Sequence, residues 1–557
     1  MPPGPLVEVD GLTFRYRRAP EPAVRDVSLR IDPGDVVLVA GPSGCGKSTL
    51  LRAINGLVPH AYSGELQGEV RIDGRRTTEL RLRQISEVIG TLLQDPAKQI
   101  VGSTVEAELA FGPENMGMEP REIAERIRQV VTDTGIGHLI GRETAHLSGG
   151  ERQLLAMAGA LMLRPRCYVV DEPLANLDPA TADKLLLQLR DLADAGHAVV
   201  IVEHRVEEAL ALRPDRVLAM DDGRVAYDGP VDGFLRMADP IAVKLPFEVI
   251  LERARRDRLE TPATAAATRD VGPERLRFDG VHVSLGERHV LHGIDTALGA
   301  REVVAVLGPN ASGKTTLFRT AMGLVRPDEG RVSVDGRDVA VTPTATLARS
   351  IGYVFQSPSQ MLFARTVRQE LLFGPRNLGL ALDDPDAAAM EALRRVGLDE
   401  EDGILERPPL TLSFGQQKRL ALAIALALQP RTLILDEPSA GQDHRTAEAF
   451  MAAIAAIPGL ESVYLVTHDV DLALTHADRI LVLRDGRIVA DGPPATVVED
   501  AERWHASNLH RTSLIAANLA WPAARGHRFL DAPTLAAAMI AGAHVHRAGE
   551  GGSSVTS

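Results

Sequence analysis

Short apolar runs that end abruptly in glycine or in acid recur along this chain. VVLVA at residues 36–40 runs into GPSGCGKST, and a helical apolar pattern begins at Thr49, which predicts strand, loop and helix in that order. VVAVL at residues 303–307 leads in the same way into GPNASGKTT. YVVDEP (residues 168–173) and LILDEP (residues 433–438) each read as a buried parallel strand that delivers two carboxylates at its C-terminal end. LSGGE (residues 147–151) and LSFGQ (residues 412–416) each open a long apolar helical pattern, so Ser148 and Ser413 fall at helix N-termini, where a hydroxyl satisfies a free N–H. The longest uncharged apolar run, residues 420–428, is about half of what a bilayer-spanning helix needs. The opening MPPGPLVEVD has no basic region followed by an apolar stretch, so neither a span nor a signal peptide is expected.

These elements occur twice, in one order. Lys47 stands 124 residues before Asp171, and Lys314 stands 122 before Asp436; Ser148 and Ser413 each precede their aspartate by 23. DRVL, DGRV and DGP between residues 215 and 230 return as DRIL, DGRI and DGP between 478 and 493. Self-similarity of this kind marks a tandem repeat, and the modules fall at residues 1–245 and 274–500. Residues 246–273 read as a linker, because from Ala254 to Glu274 the chain is rich in Arg, Ala, Thr and Pro without apolar periodicity. Residues 501–557 form an unrepeated extension, with helices expected at 511–520 and 533–543 and disorder over the closing GEGGSSVTS.

Composition narrows the picture. A hydrophobic share of 45% and a charged share of 24% describe a globular protein. A net charge of -14 argues against phosphate-backbone binding as the main activity, so no nucleic-acid partner is expected. The two cysteines, Cys45 and Cys167, lie in separate motifs and suit a reducing compartment. The tail histidines His505, His510, His527, His544 and His546 lack metal-ligand spacing.

The chemistry lies in the motifs. A glycine-rich loop between a strand and a helix lets backbone N–H groups converge on phosphate oxygens, while its lysine reaches the terminal phosphates and its hydroxyl ligates Mg²⁺. Gly41, Pro42, Ser43, Gly44, Cys45, Gly46, Lys47, Ser48 and Thr49 form the first such loop; Gly308, Pro309, Asn310, Ala311, Ser312, Gly313, Lys314, Thr315 and Thr316 form the second. Asp171 and Asp436 are placed to hold Mg²⁺ through water, and Glu172 and Glu437 to accept a proton from an attacking water. A lone Asp-Glu after a strand reads as a solvated helix start. Two of them, each at nearly the same distance from a phosphate loop, do not.

With a glutamine after a strand (Gln94, Gln356) and a late histidine (His204, His468), the order of motifs resembles the nucleotide-binding domains of ATP-binding cassette (ABC) proteins over residues 5–500. The resemblance implies an α/β fold of two tandem P-loop NTPase domains, each with a mainly parallel core sheet, an antiparallel β subdomain and a helical subdomain. It implies ATP and Mg²⁺ as ligands, with Gln94 and Gln356 joining Ser48, Thr315, Asp171 and Asp436 at the metal. Each ATP would lie between the phosphate loop of one module and the signature of the other: Lys47, Glu172 and His204 facing Ser413, Gly415 and Gln416, and Lys314, Glu437 and His468 facing Ser148, Gly149 and Gly150. His204 and His468 would contact the γ-phosphate, and Tyr16 would stack on the adenine. Phe414 replaces the first glycine of the second signature, Glu151 replaces the usual glutamine after the first, and Leu285 stands where an adenine-stacking aromatic is expected. The two sites are therefore expected to be unequal, yet both hydrolytically competent.

The segments after the glutamines point to a branch. FGPENMG (residues 111–117) and FGPRNLG (residues 373–379) resemble the ATPases of energy-coupling factor (ECF) vitamin and metal-ion importers, and Met361-Leu362-Phe363 is expected to form a helix and groove for a coupling helix. The resemblance implies a transmembrane coupling subunit and a substrate-capturing membrane subunit as partners, a peripheral place on the cytoplasmic face of the membrane, and a vitamin, vitamin precursor, cobalt or nickel as cargo. The rival is a soluble tandem-cassette ABC ATPase acting on ribosomes or DNA. That class carries a long charged helical insertion between cassettes, which this chain lacks.

Overall fold

The computed structural model describes residues 4–17, 19–175, 177–257, 271–521 and 529–550, with side chains as far as residue 541. The chain divides into two compact units, Met1–Val249 and Ile250–Gln442 with Thr446–Ser557, the segment Asp443–Arg445 grouping with the first. In the first unit a six-stranded sheet runs, edge to edge, Arg224–Gly229, Arg216–Asp221, Val36–Ala40, Ala198–Val202, Cys167–Asp171 and Ile89–Leu92. All neighbours are parallel except the first pair. Val36–Ala40, Cys167–Asp171 and Ala198–Val202 are buried along their whole length, which is why their sequences are nearly continuous in Val, Ile and Leu. Beside it lies an antiparallel sheet in the order Val24–Ile31, Val7–Tyr16, Gly64–Ile72 and Arg75–Arg76. Val24–Ile31 shows the alternation expected of a strand with one buried face. Helices Val105–Met116, Pro120–Thr134 and Gly149–Leu161 share a separate apolar cluster around Val105, Leu109, Ile136 and Leu155.

The second unit repeats this topology. Its core sheet runs Ile351–Val354, Thr432–Asp436, Ser462–Val466, Val303–Leu307, Arg479–Arg484 and Arg487–Gly492, and its antiparallel sheet runs Arg288–Gly299, Glu274–Leu285, Glu329–Val334 and Arg337–Asp338.

Two expectations need correction. The stretch read as a linker from residue 246 begins as a helix, Phe247–Asp257, with Phe247, Ile250 and Ala254 buried on one face. Two of those three apolar positions precede the Arg- and Ala-rich composition that suggested a linker, so composition concealed the stripe. Residues 258–270 lie outside the described residues. In the tail, helices form at Ala501–Ala506, Ser513–Ala520 and Ala532–Glu550, the last extending beyond the expected 533–543 and into the segment read as disordered. Residues 551–557 and His527 lie outside the described residues. Trp504, Leu509, Ile515 and Phe529 belong to the second unit's main apolar cluster, so the extension completes that unit.

Candidate functional site

The phosphate loops are built by close backbone approach. A Cβ at Gly41 would stand 2.2 Å from the Met220 carbonyl oxygen, and one at Gly308 1.9 Å from that of Leu483; both glycines have positive φ. Only glycine lets the loop lie against the neighbouring strand there. Gly46 and Gly313, also at positive φ, end the loops, and the helices Lys47–Ile54 and Lys314–Ala321 begin at the lysine rather than at the next threonine. Ala311 holds a φ of 61° where the first loop has Gly44, a strained position for a residue with a side chain. Lys47 Nζ donates to the carbonyls of Gly41 and Pro42, and Lys314 Nζ to those of Gly308 and Pro309, all at 2.8 Å.

Each loop meets the acidic strand end at its hydroxyl. Ser48 Oγ lies 3.3 Å from Asp171 Oδ1, and Thr315 Oγ1 lies 3.1 Å from Asp436 Oδ1. A hydroxyl and a carboxylate converging, with a second carboxylate next in sequence, form a hard-oxygen set that fits Mg²⁺ completed by phosphate and water. Burial, with Glu172 adding to it, pushes Asp171 up to about 6, and burial likewise raises Asp436. These paired buried acids call for positive charge beside them.

The glutamates sit one residue on, with φ of 47° at Glu172 and 53° at Glu437. A left-handed conformation at a residue with a long side chain is strain retained where the side chain must be aimed. Glu172 Oε1 lies 3.0 Å from His204 Nε2, and Glu172 Oε2 accepts from Gln94 Nε2 at 2.7 Å. In the second unit Glu437 Oε1 lies 3.1 Å from His468 Nε2, and Glu437 Oε2 accepts from the His468 backbone N–H at 3.2 Å. Burial pushes Glu172 up, but His204, Lys47 and Gln94 outweigh it and hold the carboxyl below its usual range. Burial with Asp436 alongside drives Glu437 the other way. Thus each unit gathers its lysine, hydroxyl, Asp-Glu pair and histidine at the C-terminal edge of the parallel strands, where ligands of such sheets bind. Gln94 joins the first set directly, and Gln356 follows the edge strand Ile351–Val354 in the second.

The signatures form reciprocal caps. Ser148 accepts from the Glu151 N–H while Glu151 accepts from that of Ser148, and Ser413 and Gln416 repeat the arrangement. Glu151 also pairs with Arg142 at 2.8 Å, whereas Gln416 donates to Glu401 at 2.7 Å. The substitution of Glu for Gln thus travels with a change of sign in its partner. A Cβ at Gly149 meets nothing within 4 Å, so Phe414 occupies the equivalent position without displacing backbone and stands partly exposed.

Tyr16 is tied within its own unit: its hydroxyl lies 3.1 Å from Thr49 Oγ1 and accepts from Arg52, and its ring meets Phe14 and Tyr62 edge-on. Leu285 is exposed. The helix expected over Met361-Leu362-Phe363 is absent. A short 3₁₀ turn at Pro358–Gln360 precedes it, and the buried Glu370 carboxylate takes the N–H groups of Phe363 and Ala364, so those donors are unavailable to a helix. Glu108 does the same to Val101 and Gly102. Leu362 enters the core, while Phe363 is left 65% exposed against Phe373, itself 51% exposed, with ring centroids 4.8 Å apart. Val101 (61%) and Phe111 (49%) occupy the same positions in the first unit.

Sequence reasoning missed Glu203, Tyr353 and Lys418. Glu203 lies beneath His204 and accepts from Leu174 N–H at 2.9 Å; Tyr353 donates to Asp436 Oδ2 at 2.9 Å. The signal was a comparison of the halves, where Thr467, Thr91 and Gln153 stand in their places.

The ABC transporter family matches residues 24–175 and 291–440. A protein of Methanosarcina acetivorans described as a "putative ABC transporter ATP-binding protein" is 34% identical, covering 91% of this chain and 88% of its own. Proteins of the same description from Lactiplantibacillus plantarum (34% identical, 92% and 95% covered) and Enterococcus faecalis (32% identical, 92% and 94% covered) also align over nearly their full lengths. Among solved structures, cbiO1 of Clostridium perfringens, described as part of the ABC transporter complex cbiONQ, is 32% identical and covers 42% of this chain and 95% of its own, with a TM-score of 0.38. The chain belongs to the ABC transporter family: it is an ATP-binding protein with two tandem cassettes, and its ATP hydrolysis is coupled to transport.

Proposed function

We propose that this chain supplies both ATPases of an energy-coupling factor type importer, held at the cytoplasmic face of the membrane by a transmembrane coupling subunit and a substrate-capturing subunit. The observation that carries this reading is the pair of exposed apolar side chains each cassette presents beyond its glutamine, Val101 and Phe111 in one and Phe363 and Phe373 in the other. Apolar groups turned outward, Val101 and Phe363 beside backbone donors taken by a buried glutamate, suit the apolar face of a partner helix. Phe111 and Phe373 open the FGPxNxG segments that resemble ECF ATPases, and Val101 and Phe363 each lie ten residues before them. No helix among the described residues is long and apolar enough to cross a membrane; in this reading the partners supply the membrane seat. The cargo belongs to the class of vitamins, vitamin precursors or transition-metal ions.

In this reading Lys47 and Lys314 bind the terminal phosphates, and Glu172 and Glu437 act as general bases. Water attacks the γ-phosphorus, its proton passes to the glutamate, and the bond to the β–γ bridging oxygen breaks to release ADP and inorganic phosphate. Ser48 with Asp171 and Thr315 with Asp436 would hold Mg²⁺, which would neutralise charge on the phosphate oxygens. His204 and His468 orient the glutamates. Ser148, Gly149 and Gly150, and Ser413, Gly415 and Gln416, bind nucleotide phosphate at the N-termini of their helices.

Glu172→Gln together with Glu437→Gln lowers steady-state ATP hydrolysis by about a hundredfold or more while ATP binding persists; undiminished turnover removes these residues from the mechanism. Purification of the tagged chain from detergent-solubilised native membranes, with mass spectrometry, tests the partners. Two small hydrophobic polypeptides are expected; ribosomal or DNA-repair proteins in their place favour the soluble rival.

A further inference from the structure

The segment following the catalytic glutamate is anchored differently in the two cassettes. In the second, Lys418 projects from the signature helix Phe414–Leu426, and its buried Nζ donates to three carbonyl oxygens: Glu437 at 3.2 Å, Pro438 at 3.1 Å and Ala440 at 2.5 Å. Three donors meet three acceptors, so the ammonium is satisfied by backbone alone. In the first, Gln153 holds the equivalent place on the helix Gly149–Leu161; it is 1% exposed, and neither end of its amide has a partner among the described residues. There the segment is tied from the opposite side, by Leu174 N–H to Glu203 on the histidine-bearing strand end. The second cassette has Thr467 in place of Glu203. The first cassette thus uses an acid behind the histidine, whereas the second adds a base behind the signature to a 3.4 Å contact between Thr467 Oγ1 and Ser439 Oγ.

We propose that Lys418 is a positioning residue for hydrolysis in the second cassette: it fixes the backbone of Glu437 and the residues after it to the signature helix, so that the general base and the signature move there as one piece. This rests on the reading of Glu437 as general base. The Lys418 stem and ammonium also lie beside Phe414, with Nζ 5.4 Å from the ring centroid, a cation–π distance. The aromatic that replaces a signature glycine is therefore part of the same unit, and the first cassette, with Gly149 and Gln153, has neither member of it. Burial pulls Lys418 down to about 7, with Glu437 opposing the shift.

The test uses the full chain carrying Glu172→Gln, in which turnover depends on Glu437. Lys418→Gln installs the residue that the first cassette already folds with, and ATP binding is measured alongside. The expected result is a fall in kcat of about tenfold or more with KM for ATP held within about twofold, because the displaced element carries the base and not the nucleotide contacts; Lys418→Arg, which keeps the charge and donors, recovers most of the loss. Unchanged kcat, or a rise in KM that accounts for the whole loss, overturns the inference. Turnover that survives Glu172→Gln combined with Glu437→Gln overturns the general-base reading and this inference with it. Turnover abolished there but indifferent to Lys418→Gln overturns this inference alone.

Discussion

At the scale of single residues, Glu203 makes the sharpest prediction. It is fully buried at the end of the strand Ala198–Val202, where burial pushes its carboxyl up to about 8 against the restraint of the Leu174 N–H and Arg205. A group whose pKa is raised on folding binds its proton more tightly in the native state, so its contribution is fully present below the unfolded value and is lost as pH rises through the folded one. Between about pH 5 and 8 the native protein therefore loses stability at up to about 1.4 kcal/mol per pH unit from this group. In Glu203→Gln that slope disappears. Thermal unfolding of the two proteins across this range is expected to show the wild type falling relative to the variant, and parallel curves would show that Glu203 is charged throughout. None of this was legible in the sequence, where an acid after an apolar strand reads as the solvated end of that strand. The pattern locates the end of a strand but does not say what the next layer places over it. The burial of Glu172 and Glu437 at matching strand ends was legible because two copies stand at nearly the same distance from two phosphate loops, whereas their left-handed backbone was not.

At the scale of elements, the phosphate loops, acidic strands and capped signature helices formed where their patterns placed them, because each carries a local cause: glycine at positive φ, an unbroken apolar run, a serine with its reciprocal partner three residues on. The segment after each glutamine did not follow its composition. Three apolar residues in a row suggest a helix, but buried Glu108 and Glu370 claim the backbone donors and turn alternate side chains inward and outward. The cause lies seven residues downstream of Val101 and Phe363 and has no periodic signature. Its consequence is testable. Phe363→Ser with Phe373→Ser removes two outward aromatics that carry no core packing of the cassette, so ATPase activity of the isolated chain is expected to stay within about twofold. Burying each aromatic against a partner is worth roughly 1.5–3 kcal/mol, so recovery of hydrophobic subunits with the tagged chain should drop by tenfold or more. Full recovery would place the membrane contact elsewhere.

At the scale of the whole molecule, duplication was the most legible feature, since motif order and spacing repeat and the two sheet topologies repeat with them. The extension after residue 500 was the least legible, because it has no counterpart in the first half to be compared with. Its amino-terminal part is not an appendage. Asp500 and Thr512 cap its first two helices, Trp504 and Ile515 are buried in the second cassette's core, and Asn518 bridges to both backbone groups of Leu530. Removing an indole buried to this degree costs about 3–5 kcal/mol, a large share of what holds a domain of this size together. Trp504→Ala, or truncation after Asp500, is therefore expected to accelerate amide hydrogen exchange in the strands Thr432–Asp436 and Ser462–Val466 while the strands Cys167–Asp171 and Ala198–Val202 keep their protection. Equal loss in both sets would mean that the cassettes unfold as one cooperative body; no loss in either would mean that the extension contributes nothing to the core it enters.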